Sequence, residues 1–429
     1  MREYFFSTMI LAVCVAAALP MSANAVDLSR YVAIGDSLTA GYQSDGLVTT
    51  TQLRDFPALL ARQAGISADA FQQPLISEPG IPPQLYLKSL LPLVVDRKPG
   101  MGQPLNLNLP RPYNNLGITG ATSIDVLQTK TSADNPFFDL VLRKQGTVME
   151  EAVALSPTFI TFWVGNNDVL AAVLNGKAID GVTMTPVEAF GQAMSQLFEI
   201  LGAYQGRVVV CNIPSATNIA FTTAVSIYVT NPSTKQPVLI NGQKVPLIGP
   251  DGPLTPGNYV TLYAIDYLNQ GYGIPESLGG NGKPLPDEVV LNPQEILAIE
   301  GHINSYNSII AYLAANNSIP VVDAYSFMTK LTTDGYAVGG VSITKDYLTG
   351  GFFSLDGIHP TDLGYAIIAN LWIEKINGAF SSQIPLVNLN DYVQIGLTSS
   401  QPKADWRYGV SSDIFDNLKR LFSMKKACN

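Results

Sequence analysis

Short apolar, β-branched runs alternate along this chain with longer stretches whose apolar residues recur every three or four positions, the pattern of a parallel sheet covered by helices. The runs that read as strands are 31–35, a short piece near 113–116, 158–165, 207–213 and 319–322, each with a motif or a turn at its carboxyl end. Helical periodicity covers 51–63, where Leu53, Phe56, Leu59 and Leu60 share one face, then 124–129 with Ser123 as its cap, 137–155, 186–204, 293–315 and 361–378. Pro186 and Pro293 suit a first helical turn. Pro57 does not suit the interior of 51–63 and moves the expected start of that helix to its own position.

Two stretches break the alternation. Residues 73–111 mix many prolines with Leu87, Leu90, Leu91, Leu93, Val94 and Val95, and residues 214–291 set Gly/Pro turns around short β-like pieces such as Val238-Leu239-Ile240. Loops of this length are uncommon unless functional. Both are expected to be insertions that cap the sheet's carboxyl edge within one domain over 26–380, with peripheral decoration as the alternative. Residues 381–429 form a C-terminal extension. Within it, 412–427 reads as an amphipathic helix, with Ile414, Leu418, Leu421 and Phe422 apolar and Lys419, Arg420, Lys425 and Lys426 charged. Packing on its own domain is expected, with peripheral membrane contact as the alternative.

The N-terminus changes the picture of where the protein works. Arg2, the apolar stretch Met9 to Leu19, Pro20 and the small-residue site Ala23-Asn24-Ala25 read as a signal peptide over 1–25, cleaved after Ala25. The run is short of the roughly 20 residues a bilayer demands. Export to the periplasm, the cell surface or the medium is expected. Leu11-Ala12-Val13-Cys14 resembles a lipoprotein site only faintly, because Val13 is bulky. Of three cysteines, Cys14 leaves with the signal, Cys211 falls in a strand and Cys428 is next to last, so no structural disulfide is expected. A chain of 429 residues, 47% hydrophobic, holds itself by its core instead. The net charge of −9 argues against nucleic acid and against a strongly anionic membrane.

Candidate chemistry clusters at the strand ends. Gly35-Asp36-Ser37-Leu38 sets a serine directly behind the first strand, at the edge where ligands collect in open α/β folds. A serine hydroxyl needs a neighbouring base, and the chain has two histidines. His302 lies in a helical context and is expected to pack or face solvent. His359, in Asp356-Gly357-Ile358-His359-Pro360, sits in a loop, with Asp356 three residues earlier able to turn back onto the ring. Attack on an ester carbonyl forms an oxyanion, which needs fixed donors. The backbone amides of Ser37 and Gly120 and the side-chain amide of Asn167 could supply them, although a tight turn explains Gly120 and a turn amide explains Asn167 equally well in isolation.

Taken together, the Ser37 segment, the Gly120 segment, Gly165 with Asn167-Asp168, and Asp356 with His359 resemble, in chain order, the SGNH superfamily of GDSL-type esterases and lipases. The resemblance implies a three-layer α-β-α sandwich around a central parallel sheet, flavodoxin-like in topology. It implies Ser37 as nucleophile, His359 as base and then acid, Asp356 as orienter, and an oxyanion hole of Ser37, Gly120 and Asn167. Asn166 falls at a variable position and carries no expected role. The two insertions have no counterpart in the motif pattern. The expected function is an exported serine ester hydrolase needing no metal or organic cofactor. Its expected substrate is a small-molecule or lipid ester, lipid-like or medium-chain. An acyltransferase through the same acyl-enzyme and a non-catalytic binding protein are the alternatives.

Overall fold

The computed structural model describes residues 26–90, 93–204, 207–231, 234, 236–393 and 419–420. The expected signal segment, Cys428 and nearly all of the expected helix at 412–427 lie outside the described residues.

Five parallel strands form the central sheet: β1 (Tyr31–Gly35), β2 (Asn115–Gly117), β3 (Phe159–Trp163), β4 (Val208–Cys211) and β5 (Val321–Val322), in the spatial order β2-β1-β3-β4-β5. Ile34 lies opposite Leu116 on one side and Phe162 on the other. Every residue of β1, β3 and β4 is buried. This is why these strands read as continuous apolar runs: helices cover both faces, so neither face is left to polar residues.

The helices that matter to the site are α1 (Ser37–Ala40), α2 (Phe56–Gln63), α3 (Ser123–Gln128), α4 (Asn167–Leu174), α5 (Val187–Gly202), α6 (Pro293–Asn316), α7 (Ala324–Thr333) and α8 (Asp362–Phe380). Helix α8 packs along α2, while α6 packs along α4 and α5. Trp372 of α8 stacks flat on Phe56 of α2 at 5.2 Å, and Trp163 at the end of β3 closes on both rings. Truncating a fully buried ring of this kind costs about 3–5 kcal/mol.

Several boundaries differ from the sequence reading. Residues 51–63 divide into a turn of helix at Thr49–Gln52 and α2, which starts at Phe56 with Pro57 in its first turn and the Asp55 carboxylate accepting from the Ala58 N–H at 2.7 Å. The cap of α3 is Thr122 rather than Ser123, in a reciprocal box with Asp125. The stretch 137–155 breaks at Arg143 and Lys144, both left-handed, into Phe137–Leu142 and Val148–Ala154. Helix α7 has no counterpart in the sequence reading.

The irregular stretches carry their own short pairings. Residues 73–111 contain an antiparallel hairpin of Leu85–Leu90 with Leu93–Arg97. Residues 214–291 contain small hairpins and the pair Tyr259–Val260 with Val290–Leu291. The strand order makes the gap between the carboxyl ends of β1 and β3 the topological switch point, where the chains diverge and leave a crevice.

Candidate active site

Ser37 is the first residue of α1, immediately after β1. A Cβ on Gly35 would lie 2.0 Å from Thr39 Oγ1 and 2.7 Å from the Trp163 carbonyl oxygen, so only glycine lets the strand turn this tightly into the helix. Asp36 caps α1, its carboxylate accepting from the Leu38 N–H at 3.0 Å.

The loop 354–359 delivers His359. The Ser354 N–H donates to the His359 carbonyl at 2.8 Å, and Gly357 takes a left-handed φ of 72°. Ser37 Oγ lies 2.9 Å from His359 Nε2, and His359 Nδ1 lies 3.0 Å from Asp356 Oδ2. Serine, histidine and aspartate are all buried. The tautomer with the proton on Nδ1 satisfies both bonds, leaving Nε2 to accept from the serine hydroxyl. The Tyr42 ring rests against the imidazole, centroids 4.8 Å apart.

Asp356 gathers donors from two directions. Its Oδ2 accepts from the Asp45 N–H at 2.9 Å, and its Oδ1 from the backbone N–H groups of Ile358 and His359 at 2.9 and 2.8 Å. Burial by itself drives this carboxyl upward. The charge and hydrogen bond of His359 and the backbone donors outweigh it, holding the group below the ordinary carboxylate range.

Behind Asp356 stands a second buried acid. The Asp45 carboxylate is fully buried and accepts from the Tyr42 hydroxyl at 2.8 Å and from the Arg97 guanidinium. Arg97 closes the hairpin of residues 73–111, so that stretch reaches the site. Burial pushes Asp45 up to about 6 despite the opposing pull of Arg97. The stretch 214–291 touches the same loop from the other side. The Phe221 N–H donates to the Gly357 carbonyl at 2.8 Å, and a Cβ on Gly357 would meet Leu262 and Phe221 within 3 Å.

The loops after β1, β2 and β3 are tied to one another. The Ile118 N–H donates to the Gly35 carbonyl at 3.0 Å, Asn167 Nδ2 donates to the Ala121 carbonyl at 2.9 Å, and Asn166 Nδ2 donates to Asp36 Oδ2 at 2.8 Å. Gly120 has a φ of 80°. Among the described residues, the amides of Ser37 and Gly120 donate to no protein acceptor, and the second N–H of Asn167 is equally uncommitted. Asp168, next in the chain, is fully buried and accepts from the Ser123 hydroxyl and N–H at 2.7 and 2.8 Å, bracing α3 against α4. Burial raises Asp168 to about 6, as it does Asp36.

His302 lies outside this cluster, on α6, with Nε2 3.1 Å from Asp180 Oδ1. Cys211 is a buried free thiol at the end of β4. Sequence reasoning missed Asn166, Tyr42, Asp45 and Arg97. Asn166 was legible only as a neighbour of Asn167, Tyr42 and Asp45 lie three residues apart with no periodicity to mark them, and Arg97 joins them from across the fold.

The GDSL-like lipase/acylhydrolase family model matches residues 31–372. The chain belongs to the GDSL-like lipase/acylhydrolase family. Solved structures similar to this family member include the following three. The first is the lipase/acylhydrolase from Enterococcus faecalis, at 14% identity over 83% of this chain and 98% of that one, with a TM-score of 0.35. The second is an acetylxylan esterase from Geobacillus stearothermophilus, at 12% identity over 81% and 93%, TM-score 0.36. The third is phospholipase A1 from Streptomyces albidoflavus NA297, at 14% identity over 80% and 98%, TM-score 0.30. No curated protein matches the GDSL chain.

Proposed function

We propose that this GDSL-family protein is an exported serine ester hydrolase that cleaves carboxylic esters, lipid-like or medium-chain, through an acyl-enzyme. The reading is carried by one observation: His359 stands between Ser37 Oγ at 2.9 Å and Asp356 Oδ2 at 3.0 Å in a buried row. His359 Nε2 takes the hydroxyl proton as Oγ bonds to the ester carbonyl carbon, and the amides of Ser37 and Gly120 with the Asn167 side chain hold the oxyanion. The same proton passes to the departing alkoxide as the C–O bond breaks. Water then repeats the sequence: its proton goes to Nε2, its oxygen bonds to the acyl carbon, and the proton returns to Ser37 as the acid leaves. Asp356 stays ionised throughout and stabilises the imidazolium. The export half of the proposal rests on the signal-like segment 1–25.

The test is turnover of a p-nitrophenyl ester by the wild type and by Ser37→Ala. Loss of hydrolysis by about 10³-fold or more, with melting unchanged, is the expected result. Equal turnover by the two proteins overturns the proposal.

A further inference from the structure

Helix α6 runs for 24 residues and packs inward on α4 and α5, yet the face it turns outward carries no charged side chain. Gln294, Leu297, Gly301, Asn304, Ser308, Tyr312 and Ala315 follow one another along it, all exposed. The neighbouring α5 shows the ordinary pattern, with Glu188 and Glu199 on its outer face. The ionisable groups of α6 are turned aside: Glu295 closes the N-terminal cap, Glu300 accepts from the Ser215 and Thr217 hydroxyls, and His302 meets Asp180. Leu297 and Tyr312 are 73% and 67% exposed, more than any other large apolar side chain among the described residues. The bond from Asp180 to His302 sets exposed Ile179 and Val182 beside the same helix. Between Leu297 and Tyr312 sits Gly301, where a Cβ would meet nothing within 4 Å. Glycine weakens a helix interior more than any residue but proline, and no neighbour within the chain calls for it here.

We infer that this face pairs with the same face of a second copy of the chain. The inference goes beyond the hydrolase reading and does not depend on it. A two-fold axis crossing α6 between Asn304 and Ser305 sets the two helices antiparallel and matches exposed positions with exposed positions: Gln294 with Ala315, Leu297 with Tyr312 and Gly301 with Ser308 of the other copy. The two large side chains then meet at both ends. The small Gly301 and Ser308 lie near the crossing, where the backbones come closest. Charge favours the same occupant, because two copies of net charge −9 repel wherever acids face outward and approach most easily along a neutral face. Asn304 and Ser308 at its centre, with no lysine or arginine on that face, suit a protein partner rather than a lipid surface. The face is about 36 Å long and about 11 Å wide, or about 400 Å² on each copy. With the adjoining loop, the two copies together bury roughly 1,000 Å², the lower bound for a specific interface.

The test is sedimentation of the full chain from about 1 to about 100 µM. A reversible monomer–dimer equilibrium with a Kd on the order of 10 µM is the expected result. Gly301→Gln puts a long side chain at the crossing and weakens dimerisation at least about tenfold, with melting of the monomer unchanged or raised. Tyr312→Glu weakens it by about the same factor. Adding Leu297→Lys to Tyr312→Glu restores the dimer in low salt and loses it again in high salt. That recovery requires the two-fold register, because positions 297 and 312 stand about 22 Å apart within one copy. A chain that stays monomeric throughout overturns the inference, as does a dimer that ignores both single substitutions. Wild-type chain that sediments with phosphatidylcholine vesicles but not with itself also overturns it and gives the face to lipid.

Discussion

Arg97 holds the buried carboxylate of Asp45 across 52 residues of sequence, and the backbone N–H of the same Asp45 donates to Asp356. Asp356, the proposed orienting acid, is therefore braced by a charge pair one step removed from it. Arg97→Gln leaves Asp45 buried and unpaired, which costs about 3–5 kcal/mol of stability. It also frees the loop that positions Asp356, lowering kcat by up to about 10²-fold with little change in KM. Arg97→Lys returns more of the stability than of the kcat, because an ammonium lacks the guanidinium's fixed fork. Steady-state kinetics below the melting range separate the two effects, and a wild-type kcat in Arg97→Gln would reduce the pair to a stabilising role.

Asp356→Asn keeps the shape of the side chain but presents an amide where the imidazole needs an acceptor of fixed charge. We expect kcat to fall by about 10³–10⁴-fold with KM nearly unchanged. Because His359 and the backbone donors hold Asp356 below the usual carboxylate range, the wild-type enzyme does not lose activity at mildly acidic pH by protonating this residue. A variant whose kcat stays within tenfold of the wild type would contradict the assigned role.

On the proposed mechanism, Asn167→Ala removes an oxyanion donor, and it also removes a bond to the Ala121 carbonyl. A loss of about 10²–10³ in kcat is expected. Asn166→Ala breaks the link to Asp36 instead, so its effect should fall more on melting temperature than on the acyl-transfer step. Comparing the two neighbours under one assay tests the division of labour. Equal kinetic losses would refute it.

Stability should depend on pH in an unusual direction for an acidic protein. Asp36, Asp45 and Asp168 each sit near 6 because burial disfavours their charge, while unfolded aspartate titrates near 3.9. The folded state binds these protons more tightly, so the contribution is fully present below about pH 4 and is lost as pH rises through about 6. Two pH units correspond to about 3 kcal/mol per group as an upper figure. Calorimetry should give a higher melting temperature at pH 5 than at pH 7.5. The opposite order would mean that the three acids are solvated or better paired than their burial implies.

The strands were legible because burial on both faces leaves a continuous apolar run, and 31–35 matches β1 residue for residue. The motifs were legible because each follows a strand and is local in sequence. Helix α7 was not, since Ala324-Tyr325-Ser326-Phe327 mixes polar and apolar positions without a long stripe, and only Ala324, Met328 and Leu331 are buried. The second row of the site escaped for a different reason. Tyr42 and Asp45 bond within one turn, but Arg97 meets them only because an irregular segment folds back as a hairpin, and nothing local marks a surface-like arginine as the partner of a buried acid.

The loop bearing His359 is splinted twice, by the hairpin ending in Arg97 and by the Phe221 amide bonded to Gly357. Trimming away its irregular segments would therefore not yield a minimal catalyst. Deleting either would take Arg97 or Phe221 away and leave the imidazole's loop braced from one side only.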